Sequence, residues 1–186
     1  MIQNLSTHAR RSLLYGALSL LQLFVTLVSP FYTVPVVSWL MRQNLYRFTI
    51  ALLAAPFFSL LAYFSMKRWS LIKKDRRMVL ILLASACSYI AVYETVPDVG
   101  EKLHVLNFSV LALLIYKTLS PQMKLHWAML LSWMIPSLVA GVDEYMQNFI
   151  PGRAGTVHDA LIAVRSAILG GSIAWVFDAY SRKGRS

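Results

Sequence analysis

Residues 159–177 read DALIAVRSAILGGSIAWVF, an apolar run that opens with an acid and contains one arginine. As a helix rising 1.5 Å per residue it covers about 28 Å, close to the hydrocarbon thickness of a bilayer. One face of this helix carries Asp159, followed at helical spacing by the small residues Ala163, Ser166 and Gly170. Because small residues let a neighbouring backbone approach closely, the run predicts a membrane-spanning helix that packs along this face.

Five further segments of similar length and apolarity precede this run. They are residues 13–29, 48–66, 78–93, 103–119 and 125–142. The composition agrees with them: 58% of the residues are hydrophobic and only 14% are charged, whereas soluble domains average about 25% charged residues. The predicted fold class is therefore all-α, a polytopic membrane bundle of about six transmembrane helices.

The segment between the first two predicted spans is apolar but interrupted. It reads PFYTVPVVSWLMRQNLY over residues 30–46 and contains Pro30 and Pro35. Each proline lacks the backbone N–H that a helix needs and clashes with the preceding turn. We therefore expect an interfacial or re-entrant segment here and not a continuation of the first helix.

The distribution of Lys and Arg predicts the orientation in the membrane. Thirteen of the 18 lie in the two tails and in the second and fourth connections, and cytoplasmic segments are the ones enriched in these residues. Both termini are therefore expected in the cytoplasm, with the loops at 94–102 and 143–158 outside. Topology thus explains the net charge of +10, and no nucleic-acid partner is predicted.

A polar stretch, DEYMQNFIPGR, follows the fifth predicted span at residues 143–153. Asp143 and Glu144 lie four and three residues before Gln147, so all three can line one side of a helical turn. The Pro-Gly pair then makes a tight turn that delivers Arg153. These side chains are candidates for ligand binding, with Arg153 able to hold a phosphate or carboxylate through two parallel hydrogen bonds.

Two further candidates belong to the same predicted outer face. The stretch PDVGEKLH ends in His104 at the start of the fourth span, and Asn107 lies three residues deeper on the same side. Asp159 opens the sixth span. With Glu144, these are candidate catalytic groups because they can donate or accept a proton. We expect His104, Glu144, Arg153 and Asp159 to form a single outward-facing cluster.

Each candidate also has a purely structural explanation. Thr156 followed three residues later by Asp159 matches a capping box, which accounts for the acid without chemistry. Glu144 and Arg153 can form a salt bridge that fastens the loop to the helix. His104 and His158 with several carboxylates could hold a divalent metal, but Cys87 is the only cysteine and the sequence has no H-E-x-x-H spacing. No metal or other cofactor is therefore predicted.

A histidine at a helix start, DEYMQNFIPGR after the next helix and an Asp-led helix with a small-residue stripe resemble the VanZ-like family of bacterial membrane proteins. The similarity runs from Pro97 to Gly171. The positions that match the family's signature are Glu144, Gln147, Arg153 and Asp159, together with the helix-start His104. Lys102 lies two residues before the histidine where the family usually has a lysine three before. The family's usual Asn and Gly in the last helix are replaced by Ala163 and Ser166.

The resemblance implies a VanZ-like membrane domain at residues 94–178. It is preceded by three helices in residues 1–93 that lie outside the resemblance and is followed by a basic cytoplasmic tail at 179–186. The implied location is the bacterial cytoplasmic (inner) membrane, as a multi-pass protein. The implied partners are membrane lipids and either a lipid-linked envelope precursor or a glycopeptide, because the family's founding member is associated with tolerance to teicoplanin.

The resemblance implies no particular reaction, and three functions stay open. The first is a cell-envelope membrane protein that affects glycopeptide susceptibility. The second is an enzyme acting on a lipid-linked phosphate or sugar at the outer face. The third is a transporter, which the sequence favours least because it shows no internal repeat and has Arg165 as its only mid-membrane charge.

Overall fold

Four long helices make up most of the part of the chain that the structure describes. The computed structural model describes residues 7–43, 99–151 and 153–183, and isolated positions at 45, 66, 79–80, 83–84, 87–88, 90–91 and 94. The helices are α1 (Thr7–Arg42), α2 (Val99–Leu119), α3 (Leu125–Gln147) and α4 (Val157–Lys183). These residues contain no strand, so the all-α prediction is confirmed for them.

Three of these helices are long and apolar enough to cross a membrane. The spanning stretches are Ala9–Val28, Leu125–Gln147 and Val157–Ala179, and they coincide with the first, fifth and sixth predicted spans. The apolar part of α2 is shorter, His104–Leu119. The chain is therefore a membrane protein. The spans predicted at 48–66 and 78–93 lie outside the described residues apart from isolated positions.

The interruption predicted at Pro30 and Pro35 is wrong, because α1 is one helix of 36 residues that continues through both positions. A proline inside a helix removes one backbone hydrogen bond. Both prolines lie beyond the spanning stretch Ala9–Val28, and ending the helix there would leave several backbone groups without helical partners, which costs more than the one bond lost at each proline. The helical state is therefore retained across the two prolines.

α2 is the central helix of the bundle and packs against α1, α3 and α4. Its buried apolar residues include Val105, Phe108, Leu111, Ala112 and Tyr116. Phe108 and Leu111 share one core cluster with Ala140 of α3 and Ala163 of α4. None of residues 104–119 is exposed, so the shortest apolar stretch is also the most enclosed.

Polar side chains join α1 to α2 in an antiparallel arrangement. Near one end, the Ser12 hydroxyl donates to the Thr118 carbonyl over 3.1 Å. Further along, the Gln22 amide donates to the Asn107 side-chain oxygen. The Asn107 amide in turn donates to the Thr26 hydroxyl over 2.9 Å. Asn107 therefore faces α1 and joins it to α2.

The small-residue face predicted for α4 is confirmed, and the helix packed against it is α2. Ala163 and Ser166 are fully buried, and the Ser109 hydroxyl of α2 donates to the Ser166 carbonyl over 3.0 Å. A Cβ atom added to Gly170 would lie 2.2 Å from the Ser109 carbonyl oxygen. The two backbones thus approach as closely as glycine allows.

α2 and α4 run parallel to each other and antiparallel to α3. At one end of the bundle the Tyr116 hydroxyl donates to the Asp178 carboxylate over 3.3 Å. At the other end His104, near the start of α2, lies beside Asp143 in the last turn of α3. The loop that leads from α3 into α4 closes the same end through Thr156. Polar residues from three helices therefore meet there.

Replacing Gly170 by Ala should destabilise the protein, because the new methyl group overlaps the backbone of Ser109 and forces the helices apart. Overpacking of this kind costs about 1–3 kcal/mol. Gly141→Ala is the matched control, since a Cβ atom at Gly141 has nothing within 4 Å and alanine gains about 0.5–1 kcal/mol of helix propensity. Thermal unfolding in detergent should give a lower midpoint only for Gly170→Ala. Equal midpoints would contradict the close approach.

Candidate functional site

The end of the bundle where α2, α3 and α4 meet holds a group of interacting polar residues. We call this group the polar cluster: His104, Asp143, Glu144, Gln147 and Arg153. Asp143 is 1% exposed, Glu144 6% and Gln147 2%. Acids are almost never buried to this degree unless other groups pair with them. The partners of these three residues therefore decide what the cluster can do.

Gln147 is the centre of the polar cluster. Its side-chain nitrogen donates to Asp143 Oδ2 and to Glu144 Oε1, each over 3.1 Å. Its side-chain oxygen accepts a hydrogen bond of 2.8 Å from Arg153 Nη1. The prediction that the three α3 residues share one side of the helix is confirmed. Arg153 reaches this side through Gln147, in place of the direct Glu144–Arg153 salt bridge weighed as the structural alternative.

The loop after α3 folds back against the helix that precedes it. The Asn148 amide donates to the Glu144 carbonyl, and its oxygen accepts from the Gly155 N–H, each over 3.1 Å. A Cβ atom at Gly155 would lie 1.8 Å from the Glu144 carbonyl oxygen. Only glycine permits this approach, which brings the start of α4 to the acids.

Half of the predicted capping box is present at the start of α4. The Thr156 hydroxyl accepts from the Asp159 N–H over 3.1 Å. In a complete box the acid would bond back to the Thr156 N–H, but that N–H donates to Glu144 Oε2 over 3.1 Å. Glu144 thus takes the capping role expected of Asp159 and ties α3 to α4.

Two buried polar atoms of the cluster have no hydrogen-bond partner among the described residues: His104 Nδ1 and Asp143 Oδ1. His104 Nδ1 lies 3.7 Å from the other Asp143 oxygen, Oδ2, which is too long for a hydrogen bond. The imidazole is stacked on Phe108, so its orientation is fixed by packing. Leaving a buried polar atom unpaired costs about 1–3 kcal/mol, and the site is therefore suited to an additional polar or ionic group.

The structure brings the candidate residues to the same end of the bundle. Asp159 lies in the first turn of α4 and interacts electrostatically with both His104 and Glu144. Arg165 lies on an exposed part of α4 and does not belong to the cluster. The binding and catalytic roles assigned to the candidates stay predictions.

The sequence offered a divalent-metal site of His104, His158 and carboxylates as an alternative, and the structure has a group able to hold a metal ion that includes His104 but not His158. His104, Asp143 and Glu144 each offer a ligand atom, and these atoms lie within 4.8 Å of one another. His104 precedes the two acids by about forty positions, which matches no local metal-binding spacing. Only the packing of α2 against α3 therefore reveals the group. The expectation that no metal binds therefore rested on local spacing alone.

An apolar groove of about 590 Å³ lies elsewhere, between α1 and α2 with Ile135 of α3 at its edge. It is lined mainly by apolar side chains, including Leu13, Leu20, Leu23, Leu111 and Ile115. It extends to Thr118, which is 14 residues and about 21 Å along α2 from His104. A groove of this composition offers contacts to hydrocarbon but few to a polar ligand, so the polar cluster is the candidate functional site.

No protein-family model, curated protein or solved structure matches this chain. The site is therefore argued from its own geometry, and the resemblance to VanZ-like proteins stays an expectation based on the motif residues.

Replacing Gln147 by Leu should destabilise the protein, because two carboxylate oxygens and Arg153 lose a hydrogen bond within a buried site. Unsatisfied groups of this kind cost about 1–3 kcal/mol each, and more when they are charged. Gln122→Leu is the matched control, since the hydrogen bonds of Gln122 are exposed. Thermal unfolding should distinguish the two variants. Similar midpoints for both would show that the buried amide does not hold the cluster together.

Proposed function

We propose that this chain is a VanZ-like, multi-pass protein of the bacterial inner membrane, with about six spanning helices and both termini in the cytoplasm. The Lys and Arg distribution supports this orientation. The Ser12–Thr118 and Tyr116–Asp178 contacts support termini on one side, because they bring the start of α1 and the end of α4 to the same end of the bundle. The polar cluster then faces outward.

The function that the geometry supports best is recognition of the polar headgroup of a membrane-embedded ligand by the polar cluster. The observation that carries this proposal is a connected network of two acids, an amide and an arginine, buried where apolar helices end. Ionisable groups in such positions are costly, and they mark ligand or ion sites in membrane proteins. A lipid-linked envelope precursor is a ligand of this kind, with a polar head at the depth of the cluster.

The link to glycopeptide susceptibility belongs to the same proposal. The resemblance associates this arrangement of residues with tolerance to teicoplanin. In this proposal the cluster and the drug compete for the same precursor headgroup. Cells that express the protein should therefore differ in teicoplanin susceptibility from cells that express a variant with a disrupted cluster.

An enzyme acting on a lipid-linked phosphate or sugar is the second candidate, and the His104–Asp143 pair favours it. An imidazole beside a carboxylate, 3.7 Å away, with Glu144 close by, is a suitable arrangement for proton transfer. Incubation of the purified protein with envelope lipid extract separates the two functions. Turnover that is lost on Glu144→Gln favours the enzyme, whereas binding without turnover favours recognition alone.

The proposed topology predicts which positions a membrane-impermeant thiol reagent labels. After Cys87→Ser, cysteines at Ala154 and at Gln122 serve as reporters, since both residues are exposed in the connections at opposite ends of α3. Gly155 is unsuitable because it has no room for a side chain. In intact cells Ala154→Cys should be labelled and Gln122→Cys should be labelled only after lysis. The reverse pattern would overturn the orientation.

Arg153→Lys and Arg153→Ala test whether the guanidinium recognises a ligand. A fastening role tolerates lysine, because a point charge can still donate to Gln147. Recognition of a phosphate or carboxylate needs the planar pair of donors, which an ammonium cannot reproduce. Both variants should therefore lose lipid binding and the effect on teicoplanin susceptibility at unchanged membrane abundance. Wild-type behaviour of Arg153→Lys would contradict recognition.

A further inference from the structure

The three residues that can hold an ion come from two helices and are enclosed by the third. Any three atoms within 4.8 Å of one another lie no more than about 2.8 Å from a common centre, and metal–ligand bonds of about 2.0–2.2 Å need closure of less than about 1 Å. Rotation of the two carboxylate side chains supplies such a movement. His104, Asp143 and Glu144 are thus positioned close to the geometry of a bound ion.

The unpaired atoms are a second observation that points to a ligand. His104 Nδ1 and Asp143 Oδ1 are buried, have no hydrogen-bond partner among the described residues, and belong to the same three-residue group. Asp143 as a whole is 1% exposed. A single cation accepts a lone pair from both atoms and offsets the charge of the two acids, which burial makes costly.

The other carboxylate oxygens of Asp143 and Glu144 accept hydrogen bonds, as the carboxylate ligands of metal sites usually do. Gln147 donates to Asp143 Oδ2 and to Glu144 Oε1, while the Thr156 N–H donates to Glu144 Oε2. Each carboxylate oxygen has two lone pairs, so a hydrogen-bonded oxygen of Glu144 can still bind an ion. Donors of this kind orient the ligands and raise metal affinity.

We infer that His104, Asp143 and Glu144 bind one divalent transition-metal ion. One imidazole nitrogen with two carboxylate oxygens suits Zn²⁺ or Mn²⁺, whereas Ca²⁺ prefers six to eight oxygen ligands and Mg²⁺ an octahedron of oxygens. Gln147 stands between Arg153 and the acids, which reduces the repulsion between the guanidinium and the ion. Three protein ligands leave a coordination position open.

The open coordination position connects the metal site to the proposed function. What occupies that position rests on the proposed function. If the polar cluster receives a headgroup, a phosphate or hydroxyl oxygen of that headgroup is the group that occupies the open position. The ion would then supply part of the recognition that Arg153 supplies from the other side of Gln147. Ion binding itself requires no lipid, so the two proposals can fail separately.

The test uses the full-length protein, purified in detergent without a histidine tag and freed of metal with a chelator. Titration with Zn²⁺ in a calorimeter measures stoichiometry and affinity, and Co²⁺ absorption serves as a second probe of the same site. The wild-type chain should bind one ion. His104→Gln and Asp143→Asn should weaken binding by at least about 100-fold, and Gln147→Ala by about 10–100-fold.

His158→Gln is the matched control, because His158 is an exposed histidine at the start of α4, close to the cluster in sequence. It should bind Zn²⁺ like the wild type. Size-exclusion profiles without metal establish that each variant is folded. If Asp143→Asn fails to fold, Glu144→Gln takes its place.

Two results would overturn the metal site: a wild-type chain without saturable one-to-one binding, or equal affinities for His104→Gln and His158→Gln. Intact Zn²⁺ binding together with no binding of envelope lipids would instead overturn the proposed function and leave the metal site standing. Lipid binding without Zn²⁺ binding would overturn the metal site and leave the proposed function standing.

Discussion

The side-chain amide of Gln147 is the interaction on which one whole end of this protein depends. Its nitrogen holds two acids in the last turns of α3, and its oxygen receives the arginine of the following loop. Glu144 then accepts the first N–H of the next helix cap, at Thr156. A neutral residue thereby links two acids to an arginine, and Glu144 couples the position of α4 to that of α3.

Close backbone packing makes this arrangement possible. Gly170 lets α4 approach α2, and Gly155 lets the loop return to the end of α3. Both contacts leave no space for a methyl group, so the three helix ends that carry His104, Glu144 and Thr156 are held within a few ångströms. Apolar packing of this kind fixes the geometry, while the polar residues decide what the geometry can bind.

Sequence periodicity predicted the features that depend on one helix at a time. The small face of α4 and the shared side of Asp143 and Gln147 follow from residue spacing alone. The helix through Pro30 was missed because the rule for proline reflects a local preference, which the remaining backbone hydrogen bonds of α1 override.

Sequence periodicity did not predict which helices contact each other. Asn107 and His104 lie three residues apart, an angular difference of about 60° around the helix axis, and the first faces α1 whereas the second faces α3. Packing decides which helix covers each side of α2. It also decides that His104 lies beside the two acids.

The central claim is that the polar cluster is retained for binding and not for stability. Buried ionic networks can often be replaced by apolar residues without loss of stability. The most direct measurement therefore compares the wild type with a chain carrying His104→Phe, Asp143→Leu, Glu144→Leu and Gln147→Leu, for thermal unfolding and for binding of envelope lipids in nanodiscs. The account predicts an unfolding midpoint that is kept or raised, together with loss of lipid binding. Lipid binding that survives in the apolar variant would contradict it.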